Sequence, residues 1–283
     1  MPDNGAASPQ KTRVILVGVG GGTCSGKTTL AKHLKRILPD SVIIHQDDFA
    51  PPQEQVPVHP NYKVQDWDAA PGAIVWPKLV NFLREVKKTG KIPPDHRSHD
   101  HLNEQKEIKV DDEVRDRWIE VFEGIRRERE QNGQERIVWG LVDGFLLYWN
   151  QEVIDQLDVR IFLRVPEEVL RKRRHERHGY HTAVVLDKSF HPLPARADLY
   201  PLCPPGVQSD PEGSLWRDPP GYWEQIVYPA YVDAHREVFI DGDVEKGMAG
   251  DKVQGLILLE SLKMKMSDAV SRVCRVLEEV VRK

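Results

Sequence analysis

"VGGGTCSGKTTLAKHL", Val19 to Leu34, decides how this chain is read. Gly21, Gly26, Lys27 and Thr28 fit the spacing G-x-x-x-x-G-K-[ST]. The run before it, "RVILVGV" from Arg13 to Val19, is short, apolar and β-branched, which predicts a buried strand. After it, Leu30, Leu34 and Leu38 recur at helical spacing until Pro39. A strand that passes through a glycine-rich turn into a helix N-terminus makes a phosphate cradle. Glycines let backbone N–H groups turn inward, and the helix end adds partial positive charge. Lys27 is expected to reach the outer phosphates and the Thr28 hydroxyl to ligate magnesium. Gly22, Thr23, Cys24, Ser25 and Thr29 complete the expected cradle, with Cys24 read as a small structural residue and not a nucleophile.

Outward from this loop the chain alternates strands and helices. "SVIIH" (Ser41–His45), "RIVWGLVDG" (Arg136–Gly144), "VRIFLRV" (Val159–Val165) and "EVFIDG" (Glu237–Gly242) read as further strands. Val270, Val273, Leu277 and Val280 mark one face of a closing helix within Ser267–Arg282. The fold class expected is α/β, with a phosphate-binding P-loop and a central parallel sheet flanked by helices on both faces. A tail over residues 1–12 would precede a single domain over 13–283, with insertions at about 91–135 and 181–217. The first insertion is polar, although Val114, Trp118, Val121, Phe122 and Ile125 mark an amphipathic helix in it. The second is proline-rich and reads as a long surface loop.

Composition narrows the function. The 283 residues carry a net charge of −4, which provides no bulk attraction to nucleic acid or anionic membrane. No apolar run reaches the ~18 residues of a membrane span. Three scattered cysteines, Cys24, Cys203 and Cys274, suit a reducing compartment: the cytoplasm, with the nucleus also open. The partner expected is a small molecule, with no nucleic acid and no membrane, and the protein a monomer or weak homodimer.

Kinase chemistry needs a metal, a base and cations. Asp143 ends an apolar strand, where an acid near magnesium belongs, and the next residue is Gly144 where a motor ATPase would carry a second acid. "HQDDF", His45 to Phe49, ends the second strand, and carboxyl ends of strands in such sheets face ligands. Two adjacent carboxylates on extended backbone point opposite ways, and Asp48 is taken as the one facing the site. In "EEVLRKRRHERHGY", Glu167 to Tyr180, Arg173 and Arg177 share a helical face while Arg174 is turned away from it. Such an arginine-rich lid would cover the γ-phosphate and exclude water. By themselves Trp67 and Asp68 read as a core aromatic and a helix N-cap, Trp118 and Trp139 as core residues, and "DHRSHDH" with His96, His99 and His101 as a solvated loop.

Taken in order, "GGTCSGKTT", "HQDDF", "VDGFLLYWN", "RKRRHERHGY" and "DPPGYW…VYPAYVDAH" resemble the nicotinamide riboside kinases, fungal type, within the uridine-kinase-like P-loop kinases. The resemblance covers most of residues 14 to 245. It implies ATP- and magnesium-dependent phosphorylation of the ribose 5′-hydroxyl of nicotinamide riboside, with nicotinic acid riboside usually accepted too, in NAD salvage. By position it implies Gly21 to Thr29 on the ATP phosphates, and Thr28, Asp48 and Asp143 at magnesium, with Asp48 also the proton acceptor. Lys27 and Arg174 join Asp48 as catalytic candidates. Trp67 and Tyr180 would wall the base, and Asp68 and Arg174 would grip the ribose, with Phe49 and His181 alongside. Arg173 and Arg177 would face ATP, and Val244, Glu245 and Lys246 would lie near adenine. The alternatives are a uridine or other small-metabolite kinase, and a nucleotide-binding regulator without turnover.

Overall fold

The computed structural model describes residues 11–94, 96, 98, 107–177, 180–182, 207–210 and 213–283. Most of the expected tail, most of the proline-rich stretch, Cys203, His99 and His101 lie outside the described residues. Thr12 already belongs to the first strand.

The strands are β1 (Thr12–Gly21), β2 (Ser41–His45), β3 (Arg136–Gly144), β4 (Val159–Arg164), β5 (Tyr180–Thr182), β6 (Val207–Asp210), β7 (Gly213–Trp216) and β8 (Ile257–Glu260). The helices are α1 (Lys27–Ile37), α2 (Ala70–Ala73), α3 (Trp76–Thr89), α4 (Asp112–Gln131), α5 (Gln151–Ile154), α6 (Glu167–His175), α7 (Tyr228–His235) and α8 (Met266–Arg282). Five strands form one sheet in the order β2-β3-β1-β4-β8, every pair parallel. This is an α/β fold with β1 at its centre. Because side chains alternate across a strand, β1 feeds both faces. Val14 and Leu16 enter the core under α3, while Ile15, Val17 and Val19 enter the core under α1, α4 and α8. Leu16 is fully buried, so its truncation to Ala should cost ~2–5 kcal/mol.

The helical stretch expected inside the first insertion is α4. Its Trp118, Phe122 and Ile125 pack into the same core as Trp139 and the buried face of α8, so this part of the stretch is structural. Two expectations are corrected. Glu237–Gly242 is not a strand: it forms two short 3-10 turns, Arg236–Val238 and Ile240–Gly242, because Asp241 (φ 59°) and Gly242 (φ 69°) leave extended geometry. The fifth strand of the sheet is instead β8. The proline-rich stretch is not loop throughout, since β6 and β7 pair antiparallel and β7 also pairs with β5. A third apolar cluster, with Leu170, Trp216, Tyr222 and Trp223, packs beneath α6. Among the described residues no helix is long and apolar enough to cross a membrane.

Candidate active site

Parallel register brings the carboxyl ends of three strands together. Val19 of β1 stands beside Asp143 of β3, and His45 of β2 stands beside the same Asp143. The glycine-rich turn leaves β1 at this end. Gly21 has φ 139°, and a Cβ there would meet the Leu163 carbonyl oxygen at 2.4 Å, so both backbone conformation and close approach demand glycine. Gly26, at φ 99°, caps α1. Ser25 and Lys27 are buried in the turn, while Thr23, Cys24, Thr28 and Thr29 keep partial access. Lys27 Nζ donates to the Gly22 carbonyl at 2.9 Å. An ammonium has further donors for phosphate oxygens.

Thr28 and Asp143 meet as expected of a magnesium pair. The Thr28 hydroxyl donates to Asp143 Oδ2 at 2.5 Å, and His45 Nδ1 lies 3.2 Å from the same oxygen. Asp143 Oδ1 is buried with no hydrogen-bond partner among the described residues. Burial opposes ionisation of Asp143, but the His45 hydrogen bond, Lys27 and Thr28 outweigh it and hold the acid below its ordinary range. Among the described residues no group of three or more His, Cys, Asp or Glu side chains could hold a metal alone. A nucleotide-borne Mg²⁺ does not need one, because phosphates and water supply most of its ligands. The buried, orphaned carboxylate oxygen beside a hydroxyl fits such an ion.

The two carboxylates of "HQDDF" are disposed the opposite way to expectation. Gln46–Phe49 is a 3-10 turn, not extended chain. The Asp48 side chain is 3% exposed, with Oδ2 3.4 Å from His96 Nε2. Asp47 is the open one, and its electrostatic neighbours are Asp143, Lys27 and His45. Enclosure of its carboxyl and then the Asp143 carboxylate push the Asp47 acid up to about 6, against the pull of Lys27 and His45, while the rest of the residue keeps access to solvent. Phe49, expected beside the acceptor, has a fully buried side chain, 5.0 Å from Phe82 and 5.6 Å from His96 between ring centroids. His96 is packed, not solvated.

A second group of side chains gathers at α6. Arg174 is buried, with Nη1 3.1 Å and Nη2 3.4 Å from the Asp68 carboxylate oxygens. Asp68 is also buried, and that burial raises its acid, with Asp218 adding to the rise and Arg174 opposing it. Asp68 caps no helix. The N-cap of α2 is Ala69, with no side-chain cap bond, and Asp66 Oδ1 accepts the backbone N–H groups of Asp68 and Ala69 in the turn that leads into it. Trp67 is partly buried against Trp216, ring centroids 6.0 Å apart, and its backbone N–H donates to the Tyr222 hydroxyl. The resemblance assigned no role to Asp218, Trp216 or Tyr222, although "DPPGYW" carries two of them.

Arg173 Nη1 donates to the Cys24 carbonyl at 3.2 Å, which ties α6 to the glycine-rich turn. Arg177 lies past the end of α6, so the shared helical face with Arg173 stops short of it. The side chains of Tyr180 and His181 lie outside what is described. Val244 is a core residue and can offer adenine only backbone, whereas Glu245 and Lys246 keep access and have their N–H groups bound by Asp243.

No protein-family model matches the chain. Among known proteins, it is 31% identical over 234 residues to a nicotinamide riboside kinase of Saccharomyces cerevisiae, covering 82% of each chain. It is 29% identical to that of Eremothecium gossypii, over 85% of this chain and 83% of the relative. It is 28% identical to that of Schizosaccharomyces pombe, over 91% and 94% respectively.

Proposed function

The chain belongs to the nicotinamide riboside kinases, and from that premise we propose the following reaction and assignment of residues. The enzyme transfers the γ-phosphoryl group of ATP to the ribose 5′-hydroxyl of nicotinamide riboside, yielding the mononucleotide used in NAD salvage. Nicotinic acid riboside is proposed as a second acceptor. The observation that carries the reading is the match to the Saccharomyces enzyme over four-fifths of both chains. The grouping of Lys27, Thr28, Asp143 and Asp47 at one sheet end supports the assignments.

The cradle from Gly21 to Thr29 binds the ATP phosphates through backbone N–H groups, and Lys27 answers charge on the outer ones. Thr28 and Asp143 would hold Mg²⁺, which when bound neutralises charge developing on the transferred group. Asp47, not Asp48, accepts the proton of the attacking 5′-hydroxyl. Its position beside Lys27 and its raised acid both suit a base working near neutral pH. Asp68 accepts hydrogen bonds from the ribose hydroxyls, held in place by Arg174. Trp67 offers its face to the pyridinium ring, a contact of ~2 kcal/mol or more when desolvated. Arg173, anchored on the phosphate turn, closes the lid and excludes water.

The test is a substrate panel. Purified protein with Mg-ATP is given nicotinamide riboside, nicotinic acid riboside, uridine or no acceptor, while ADP and the phosphorylated product are followed. Mononucleotide from the two pyridine ribosides is expected. Turnover of uridine alone, or ADP release independent of any acceptor, would sink the reading.

A further inference from the structure

We infer that Asp218 sets the preference of the acceptor pocket for a cationic base, by leaving the buried Asp68–Arg174–Asp218 cluster one negative charge in excess beside Trp67. The inference rests on the acceptor reading above. Arg174 is held from two sides. Its Nε lies 2.6 Å from Asp218 Oδ2 and its Nη2 3.0 Å from Asp218 Oδ1, while Nη1 and Nη2 face Asp68. The three side chains are 6%, 8% and 14% exposed for Arg174, Asp68 and Asp218. Among the described residues Arg174 is the cation that pairs with these two carboxylates, and buried Asp66 is a further electrostatic neighbour of Asp68, so the cluster is net negative.

That excess is coupled to the aromatic wall. Trp216 Nε1 donates to Asp218 Oδ1 at 3.0 Å, and the Trp216 ring leans on Trp67. Tyr222 lies against the guanidinium, 5.9 Å from its ring centroid. Were the task only to hold Asp68, Arg174 would suffice. A second buried carboxylate is costly unless a positive charge completes the set. A ribosylpyridinium brings that charge with it. A neutral nucleoside does not. Asp218 also occupies Nε and Nη2, so it orients the guanidinium plane toward Asp68.

The experiment compares nicotinamide riboside with its 1,4-dihydro form, which keeps the carboxamide and nearly the same outline but carries no ring charge. Wild type, Asp218→Asn and Asp218→Glu are assayed with both. Wild type should favour the cation in kcat/KM. Asp218→Asn should shrink the cation-to-neutral ratio about tenfold, and Asp218→Glu, which keeps the charge, should preserve it. Equal losses on both acceptors in Asp218→Asn would overturn the inference and leave Asp218 as a prop for Arg174. If Asp218→Asn does not fold, wild type decides: no preference between the two forms overturns the inference too. Wild type that phosphorylates neither riboside would sink the acceptor reading itself, a separate result.

Discussion

His96 Nε2 stands 3.4 Å from Asp48 Oδ2, and this contact turns one of two adjacent carboxylates away from the cleft. Asp48 is buried against His96, whose ring packs on Phe49 and Phe82, while Asp47 has Lys27 and Asp143 as its electrostatic neighbours. Asp47→Asn should therefore lower kcat on the order of 10²–10⁴-fold with ATP affinity largely kept. Asp48→Asn should act mainly through stability and lower the melting temperature more than turnover. Steady-state kinetics and thermal melts of both variants check this. The reverse ranking would return the catalytic role to Asp48.

The pH profile offers a second reading of the same residue. The Asp47 acid is raised to about 6, and a base works only when ionised. As pH falls through about 6, Asp47 takes up a proton and kcat/KM should fall with it, about tenfold per pH unit on the acid side. Above that point the limb is flat until another group titrates. The residual activity of Asp47→Asn should lack the limb. A wild-type profile level from pH 7.5 down to 5 would contradict the assignment.

Which parts of this were readable in the chain follows from how local each cause is. β2 and β3 have the bounds expected of them because their apolar runs are closed by turn residues at both ends. α4 and α8 show their apolar stripes over four turns or more. β8, by contrast, is four residues long, too short for a period to appear. "EVFIDG" has strand composition, but two left-handed residues at its end redirect the chain. The choice between Asp47 and Asp48 depends on His96, and the role of Asp218 on Arg174. Both are contacts between residues more than forty positions apart, which no local pattern contains.

His235 links the fold to pH independently of catalysis. It is 1% exposed, donates from Nδ1 to the Tyr231 carbonyl at 2.8 Å and meets Phe162 edge-on. Burial lowers its acid from 6.5 to about 4. The unfolded chain thus binds the extra proton first. The stability this site contributes is full above pH 6.5 and is lost as pH falls toward 4, about 3–4 kcal/mol in all. The raised acid of Asp47 has the opposite sign and cancels when variants at position 235 are compared. Urea unfolding at pH 7.5 and 4.5 should show a drop in wild type that His235→Phe lacks in that amount. Parallel drops would mean that His235 is not neutral in the folded protein.

Thr28 tests the metal assignment. Its hydroxyl reaches Asp143 Oδ2, and Asp143 Oδ1 beside it has no partner among the described residues. If these two side chains receive the nucleotide's Mg²⁺, Thr28→Ala removes one ligand and leaves the carboxylate without its hydroxyl donor. Apparent magnesium affinity should weaken roughly ten- to a hundredfold, the range of a lost charge-assisted contact of about 1.5–3 kcal/mol. Nucleotide binding measured without metal should change by less than about threefold, because the backbone cradle and Lys27 remain. Serine at position 28 should restore the metal response, since it keeps the hydroxyl and drops only a methyl group. Magnesium titrations of turnover at fixed ATP, with a fluorescent nucleotide to follow binding, separate the two effects. A Thr28→Ala enzyme with an unchanged magnesium requirement would move the metal away from this pair.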